Sequence, residues 1–155
     1  MNDSAEALAT QSIAFALHRA TVLVDRAADI HLRSRHGISY SLFSVLLIIG
    51  AHDRLTQREV ADMLGVSRAS ITQRVAELTK RRLVHAQPHP TDARAVSLSL
   101  TTAGVELFEN AWRDLETSDD DIEVGVNVPI LLRELQILAM NAEASIRKTQ
   151  EKGER

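Results

Sequence analysis

Gln57-Arg58-Glu59-Val60-Ala61-Asp62-Met63-Leu64-Gly65-Val66-Ser67-Arg68-Ala69-Ser70-Ile71 has the spacing of two short helices joined by a tight turn. Thr56 precedes it and Glu59 follows three residues later, the pattern in which a hydroxyl and a carboxylate cap a helix start reciprocally. Val60, Ala61 and Leu64 supply the apolar face of that first helix, and Gly65 permits the positive φ that ends it. Ser67 can cap the next helix, where Ile71, Val75 and Leu78 repeat at i, i+4 and i+7 and face inward. Ala61 allows the two helices to cross closely, while Val60, Leu64, Val66 and Ile71 fill the wedge between them. This is the layout of a helix-turn-helix, with the second helix running to about Arg82.

A helix held in this way can enter the major groove of DNA with its N-terminal end first. Opposite the inward face lie Ala69, Thr72, Gln73, Ala76 and Lys80, flanked by Arg68, Ser70 and Arg74. Arg68, Thr72 and Gln73 suit hydrogen bonding to base edges. Ser67, Ser70, Arg74 and the helix N-terminus suit phosphate. Beyond this helix the period changes to two: Val96, Leu98 and Leu100 alternate with Ser97 and Ser99, and residues 83–87 form a plausible partner strand. The intervening Pro88-His89-Pro90-Thr91-Asp92-Ala93-Arg94 is a turn-rich tip, since two prolines in three residues disfavour both helix and central strand.

The flanks read as helix. Over residues 8–35 apolar residues recur at three- and four-residue steps (Leu8, Phe15, Ala16, Ala20, Leu23, Ala27, Ile30), with neither Gly nor Pro to interrupt them. Gly37 ends this long helix. Ser39 can cap a second one through Leu42, Phe43, Leu46, Leu47 and Ile49, apolar nearly all round and therefore central. Thr101 or Thr102 caps a later helix with Val105, Phe108, Ala111, Trp112 and Leu115 on one face. After the acidic run of residues 119–123, with Gly125 and Pro129, a last helix carries Ile130, Leu131, Leu132, Leu135, Leu138 and Ala142. The fold class expected is mainly α with a small β-hairpin: a winged helix-turn-helix with flanking helices.

Composition narrows the function. The chain of 155 residues carries a net charge of −3 and a pI near 6.1, which by itself argues weakly against a nucleic-acid partner. Charge is segregated, however. Residues 54–94 hold eight basic side chains (Arg54, Arg58, Arg68, Arg74, Lys80, Arg81, Arg82, Arg94) against four acidic ones (Glu59, Asp62, Glu77, Asp92), a balance of +4 that leaves −7 elsewhere. Cysteine is absent, which excludes disulfides, thiolate zinc sites and thiol switches. The most apolar run, residues 42–51, is far short of the roughly 20 residues that span a bilayer, and the N-terminus does not read as a signal peptide, so a cytoplasmic protein without membrane contact is expected.

Taken with the wing pattern, Leu55-Thr56-Gln57, Val60-Ala61, Leu64-Gly65-Val66-Ser67, Thr72, Val75 and Leu78 resemble the multiple-antibiotic-resistance regulator (MarR) family. Asp92-Ala93-Arg94 followed by Val96, Leu98, Leu100-Thr101 and Gly104 carries the resemblance furthest. It implies a transcription regulator, a repressor by expectation, that binds a pseudo-palindromic operator in double-stranded DNA as a homodimer. Residues 1–36 and 102–155 would form the helical dimerisation region, and residues 37–101 the DNA-binding domain. Arg94 would be the wing arginine entering the minor groove, with Asp92 bracing it through ion pairing and His89 adding a tip contact. Ala93 departs from the pattern, standing where the family often has another basic residue. The resemblance also implies a small effector, anionic or aromatic, between the dimerisation helices and the winged core; Arg19, His31, Arg35, His36, Tyr40, Phe43 and His52 are positioned to line such a pocket.

Other classes find less support. His85, His89 and Asp92, or His31 and His36, lack the helical pair or thiolates of a metal site, and no metal or other cofactor is expected. No Gly-rich phosphate loop, Gly-x-Ser-x-Gly elbow or His-Glu-x-x-His occurs, so an enzyme is not expected. The alternative is a winged-helix protein-interaction module without DNA binding, which has no need of the polar and basic surface of Arg68, Thr72, Gln73, Arg74 and Arg94.

Overall fold

The computed structural model describes residues 12–52, 54–88, 96–118 and 122–153. The chain divides into two compact units, Met1–Ser118 and Asp119–Arg155. In the first unit, helix α1 (Ile13–His36) starts where the Ser12 side chain accepts the Phe15 amide, and stops at Gly37 in the left-handed region, φ 62°. The amides of Gly37 and Ile38 then turn back to the carbonyls of Arg33 and Leu32, satisfying acceptors the helix end would otherwise leave unpaired.

Ser39 caps α2 (Tyr40–Ala51), and Leu42, Phe43, Val45, Leu46 and Ile49 along it are buried. As its all-round apolar pattern implies, α2 is the central helix of the core, which gathers Leu32, Ile38, Val60, Ala61, Ile71, Val75, Leu78, Leu83, Val84, Leu98 and Ala111 around it. Strand β1 (Leu55–Thr56) leads into α3 (Gln57–Leu64), whose capping box is complete: the Glu59 amide donates to Thr56 Oγ1 and the Thr56 amide to Glu59 Oε2. Gly65, at φ 64°, reverses the chain into α4 (Arg68–Lys80). The helix ends two residues before the expected Arg82, because Arg82 itself takes φ 58° and turns the chain into strand β2 (Val84–Pro88).

Strand β3 (Val96–Leu100) pairs antiparallel with β2, Val84 opposite Leu100 and Ala86 opposite Leu98. The sheet has a third strand the alternation did not reveal: β1 pairs with the other edge of β3, Leu55 opposite Leu98 and Thr56 opposite Ser97, giving the order β1-β3-β2. Two residues are too few to display a period. Central placement also explains why Ser97 and Leu98 are both buried while Val96, at the hairpin end, is exposed. Helix α5 (Thr102–Glu116) follows, capped by Thr101, with Ala111 fully buried and Leu107, Phe108 and Leu115 half-buried against the core.

The second unit holds α6 (Val128–Gly153). Asn127 Oδ1 accepts the Ile130 amide at its start, and Pro129 sits in the first turn, where no intrahelical donor is required of it. Ile130, Leu131, Leu132, Leu135, Ile137, Leu138, Met140 and Ile146 are all exposed, between 36% and 68%. The apolar residues Ile13, Phe15, Val22, Leu23, Val24 and Ile30 of α1 are likewise exposed.

Candidate nucleic-acid interface

Ile71, Val75 and Leu78 anchor α4 in the core, leaving them 0%, 3% and 0% exposed, so the rotation of the helix is set and its opposite face is open. Arg68, Ala69, Thr72, Gln73, Ala76 and Lys80 are exposed on it. Ser67 Oγ accepts the Ser70 amide at 3.2 Å, which uses a lone pair and leaves the hydroxyl proton for an outside acceptor such as phosphate. Ser70 is half-buried behind it.

Two side chains differ from a simple outward display. Arg74 is half-buried, and its Nη1 reaches the Ser41 carbonyl at 3.5 Å, so it leans from α4 toward the start of α2. Thr72 is exposed but engaged: its hydroxyl donates to Gln57 Oε1 at 2.8 Å and to the Arg68 carbonyl at 3.0 Å. Gln57, the first residue of α3, thus joins the two helices of the motif at their outer surface. The Leu55-Thr56-Gln57 string pointed to it, but a hydrogen bond to a residue fifteen positions on is invisible to spacing. His89, Asp92 and Arg94 lie outside the described residues.

The joint between α4, the sheet and α5 rests on Thr101 and Gly104. The Thr101 amide donates to the Leu83 carbonyl at 3.0 Å, its hydroxyl donates to the Arg82 carbonyl at 2.8 Å, and the same oxygen accepts the Gly104 amide at 2.9 Å. A Cβ at Gly104 would overlap the Leu83 carbonyl. Leu-Thr-x-x-Gly is therefore a close crossing of a helix start over the backbone that begins β2. Arg81 adds a tie to α1, donating from Nη2 to the Gly37 carbonyl at 3.0 Å.

Of the seven side chains expected to line an effector pocket, some are brought together and others are not. His36 Nε2 meets Asp114 Oδ2 at 3.0 Å, with Arg35 Nη1 3.9 Å from the same oxygen, joining α1 to α5. Phe43 is buried and stacks on Phe108 at 5.9 Å and on Trp112 at 6.5 Å, centroid to centroid. Tyr40 is half-buried, and burial, followed by the negative charge of Asp25, raises its phenol above the ordinary range. The Tyr40 amide donates to Asp29 Oδ1, and Asp29 Oδ2 pairs with Arg33 at 2.6 Å. The Arg33 hydrogen bond, and after it the Tyr40 amide, hold the Asp29 carboxyl below the usual range against a smaller opposing effect of burial. His31 is half-buried and its Nε2 is enclosed with no hydrogen-bond partner among the described residues. Arg19, in the first half of α1, and His52, at the C-cap of α2, are exposed.

Among the described residues no three His, Cys, Asp or Glu side chains are grouped to hold a metal, and no helix is long and apolar enough to cross a membrane.

Comparison with known proteins places this architecture. Residues 36–95 match the model of the MarR family. A putative transcriptional regulatory protein for the hcr operon of Thauera aromatica is 26% identical over 115 residues, which are 74% of this chain and 69% of that protein. The transcriptional repressor CouR, solved bound to a 23-mer DNA duplex, superposes with a TM-score of 0.73 at 25% identity, covering 86% of this chain and 94% of CouR. CouR from Rhodococcus jostii RHA1, solved with p-coumaroyl-CoA, gives 0.73 at 24% identity, over 84% of this chain and 91% of that one. With its three-stranded sheet beside the anchored α4, the segment over residues 36–95 is that of the MarR family, and the chain resembles DNA-binding transcriptional regulators.

Proposed function

We propose that the protein is a homodimeric repressor that reads a pseudo-palindromic operator, one α4 helix per half-site, and is modulated by a small anionic or aromatic molecule. Residues 37–101 serve as the DNA-binding domain, and residues 1–36 and 102–155 as the dimerisation region. The observation that carries the reading is the division of α4: Ile71, Val75 and Leu78 are buried while Arg68, Thr72, Gln73 and Lys80 stand exposed, the arrangement a helix needs to offer donors and acceptors to a groove. The exposed apolar rows of α1 and α6 support pairing with a second copy, since monomers rarely leave such rows uncovered. CouR, bound to DNA in one structure and to an acyl-CoA in another, supports both partners by likeness. Ser67, Arg68, Ser70, Thr72, Gln73 and Arg74, with His89, Asp92 and Arg94 of the wing tip, are the proposed DNA contacts. Arg19, His31, Arg35, His36, Tyr40, Phe43 and His52 are the proposed effector contacts.

Selection of duplexes from a random pool at physiological salt tests this reading. A pseudo-palindrome with half-site centres about one helical turn (~10 bp) apart is expected, and Arg94→Ala should weaken binding to it by about 1–3 kcal/mol. Equal binding to random duplex would refute the proposal.

A further inference from the structure

Resting on the reading of α4 as the helix that enters the groove, we infer that Gln57 is a positioning residue for sequence readout. By engaging the Thr72 hydroxyl it leaves Thr72 able to meet a base edge only as a hydrogen-bond acceptor. The Thr72 hydroxyl has one proton and two acceptors already in place, Gln57 Oε1 at 2.8 Å and the Arg68 carbonyl at 3.0 Å. Gln57 Oε1 is the nearer acceptor, so with it in place a third group meets a lone pair, and without it the hydroxyl is held only by the longer contact to a carbonyl of its own helix. The geometry is stiff on both sides. Thr72 is β-branched and has few χ1 choices in a helix. Gln57 follows directly on Thr56, whose amide and hydroxyl both donate to Glu59 Oε2 at 2.7 Å, so its backbone is held by the capping box. The helices carrying the two residues are clamped by buried Val60, Ala61, Ile71 and Val75.

An acceptor at this position selects among bases by elementary complementarity. In the major groove adenine presents an N6 amino donor and cytosine an N4 amino donor, whereas guanine O6 and N7 and thymine O4 are acceptors that would face a lone pair. The base beneath Thr72 is therefore adenine or cytosine on the strand it faces, and Gln57 is the reason it is not guanine or thymine.

The test compares duplexes selected from a random pool by the wild-type protein, Gln57→Ala, Gln57→Glu and Thr72→Val, each first shown to melt cooperatively. At one position per half-site the wild type should prefer adenine or cytosine by about tenfold. Thr72→Val should alter that position, and Gln57→Ala should relax it to under about threefold while the other positions keep their preferences. Gln57→Glu retains an acceptor for the hydroxyl and should keep the preference, while binding all duplexes more weakly because a carboxylate now faces a polyanion. A Gln57→Ala profile identical to wild type, or one changed only at other positions, overturns the assignment of Gln57 and leaves the DNA reading standing. A wild-type protein that enriches no sequence overturns both.

Discussion

Gly104 lies in the first turn of α5 against the carbonyl of Leu83, where a Cβ would overlap the oxygen. Backbone cannot swing aside as a flexible side chain can, so Gly104→Ala must separate α5 from β2. A loss of about 2–3 kcal/mol is expected, the upper range for an overpacked site, and urea unfolding of the variant checks it. Asp29 gives a second residue-scale test, in pH. Its folded carboxyl is held below the ordinary range by Arg33 and the Tyr40 amide, so the folded state binds this proton less readily than the unfolded chain. The contribution is then fully present above the unfolded value of about 4, and is lost as pH falls through the lowered folded value. The stability gap between wild type and Asp29→Asn should be constant at neutral pH and close below about pH 4, as read by melting temperature. Because the pair is largely open to water, the gap is small.

α2 shows how one element organises its neighbours. Phe43 extends from it to Phe108 and Trp112 of α5, whose rings lie 6.3 Å apart, while Leu46 and Ile49 help fill the core that α3, α4 and β3 share. Phe43→Ala leaves a cavity that three packed helices cannot collapse into, and a cost of about 3–5 kcal/mol is expected. Since Trp112 is the chain's single tryptophan and half in contact with water, its fluorescence should shift red in the same variant. An unshifted spectrum with an unchanged unfolding midpoint would refute the packing role of the stack. For α4 the first turn matters most: Ser67→Ala removes a cap worth about 1 kcal/mol and, with it, the hydroxyl proposed to donate to phosphate. Ser67→Thr should restore the stability in thermal melts.

Charge is distributed over the whole molecule so that residues 54–94 are positive by four inside a chain that is negative by three. In the proposed complex a polyanion would meet the positive segment of an otherwise negative chain. Raising salt from about 50 to 200 mM should lower operator affinity steeply and linearly on logarithmic axes, as filter binding or fluorescence anisotropy can follow. The apolar rows of α6 bear on the proposed dimer. Leu135→Asp with Leu138→Asp should yield a monomer in sedimentation equilibrium whose affinity for a two-half-site operator is strongly reduced, and a variant that remains dimeric would place the interface elsewhere.

Local chemistry alone determined the helix-turn-helix. The Thr56–Glu59 box, the left-handed Gly65, the Ser67 cap and the spacing of Ile71, Val75 and Leu78 each act within a few residues, so they are legible in order along the chain and recur in the structure as read. The wing signature was legible too, but its meaning was not: that Thr101 bonds Leu83 and Arg82, and that Gly104 lies on the Leu83 backbone, depends on where α5 lands. Strand β1 was missed because two residues gain strand character only from the β3 edge beside them. Gln57, Arg74 and His36 follow the same rule. A lone polar side chain has no period, and its partner at Thr72, Ser41 or Asp114 is chosen by the packing of helices rather than by sequence distance. What repeats along the chain could be read from the chain, and what meets across it was decided only by folding.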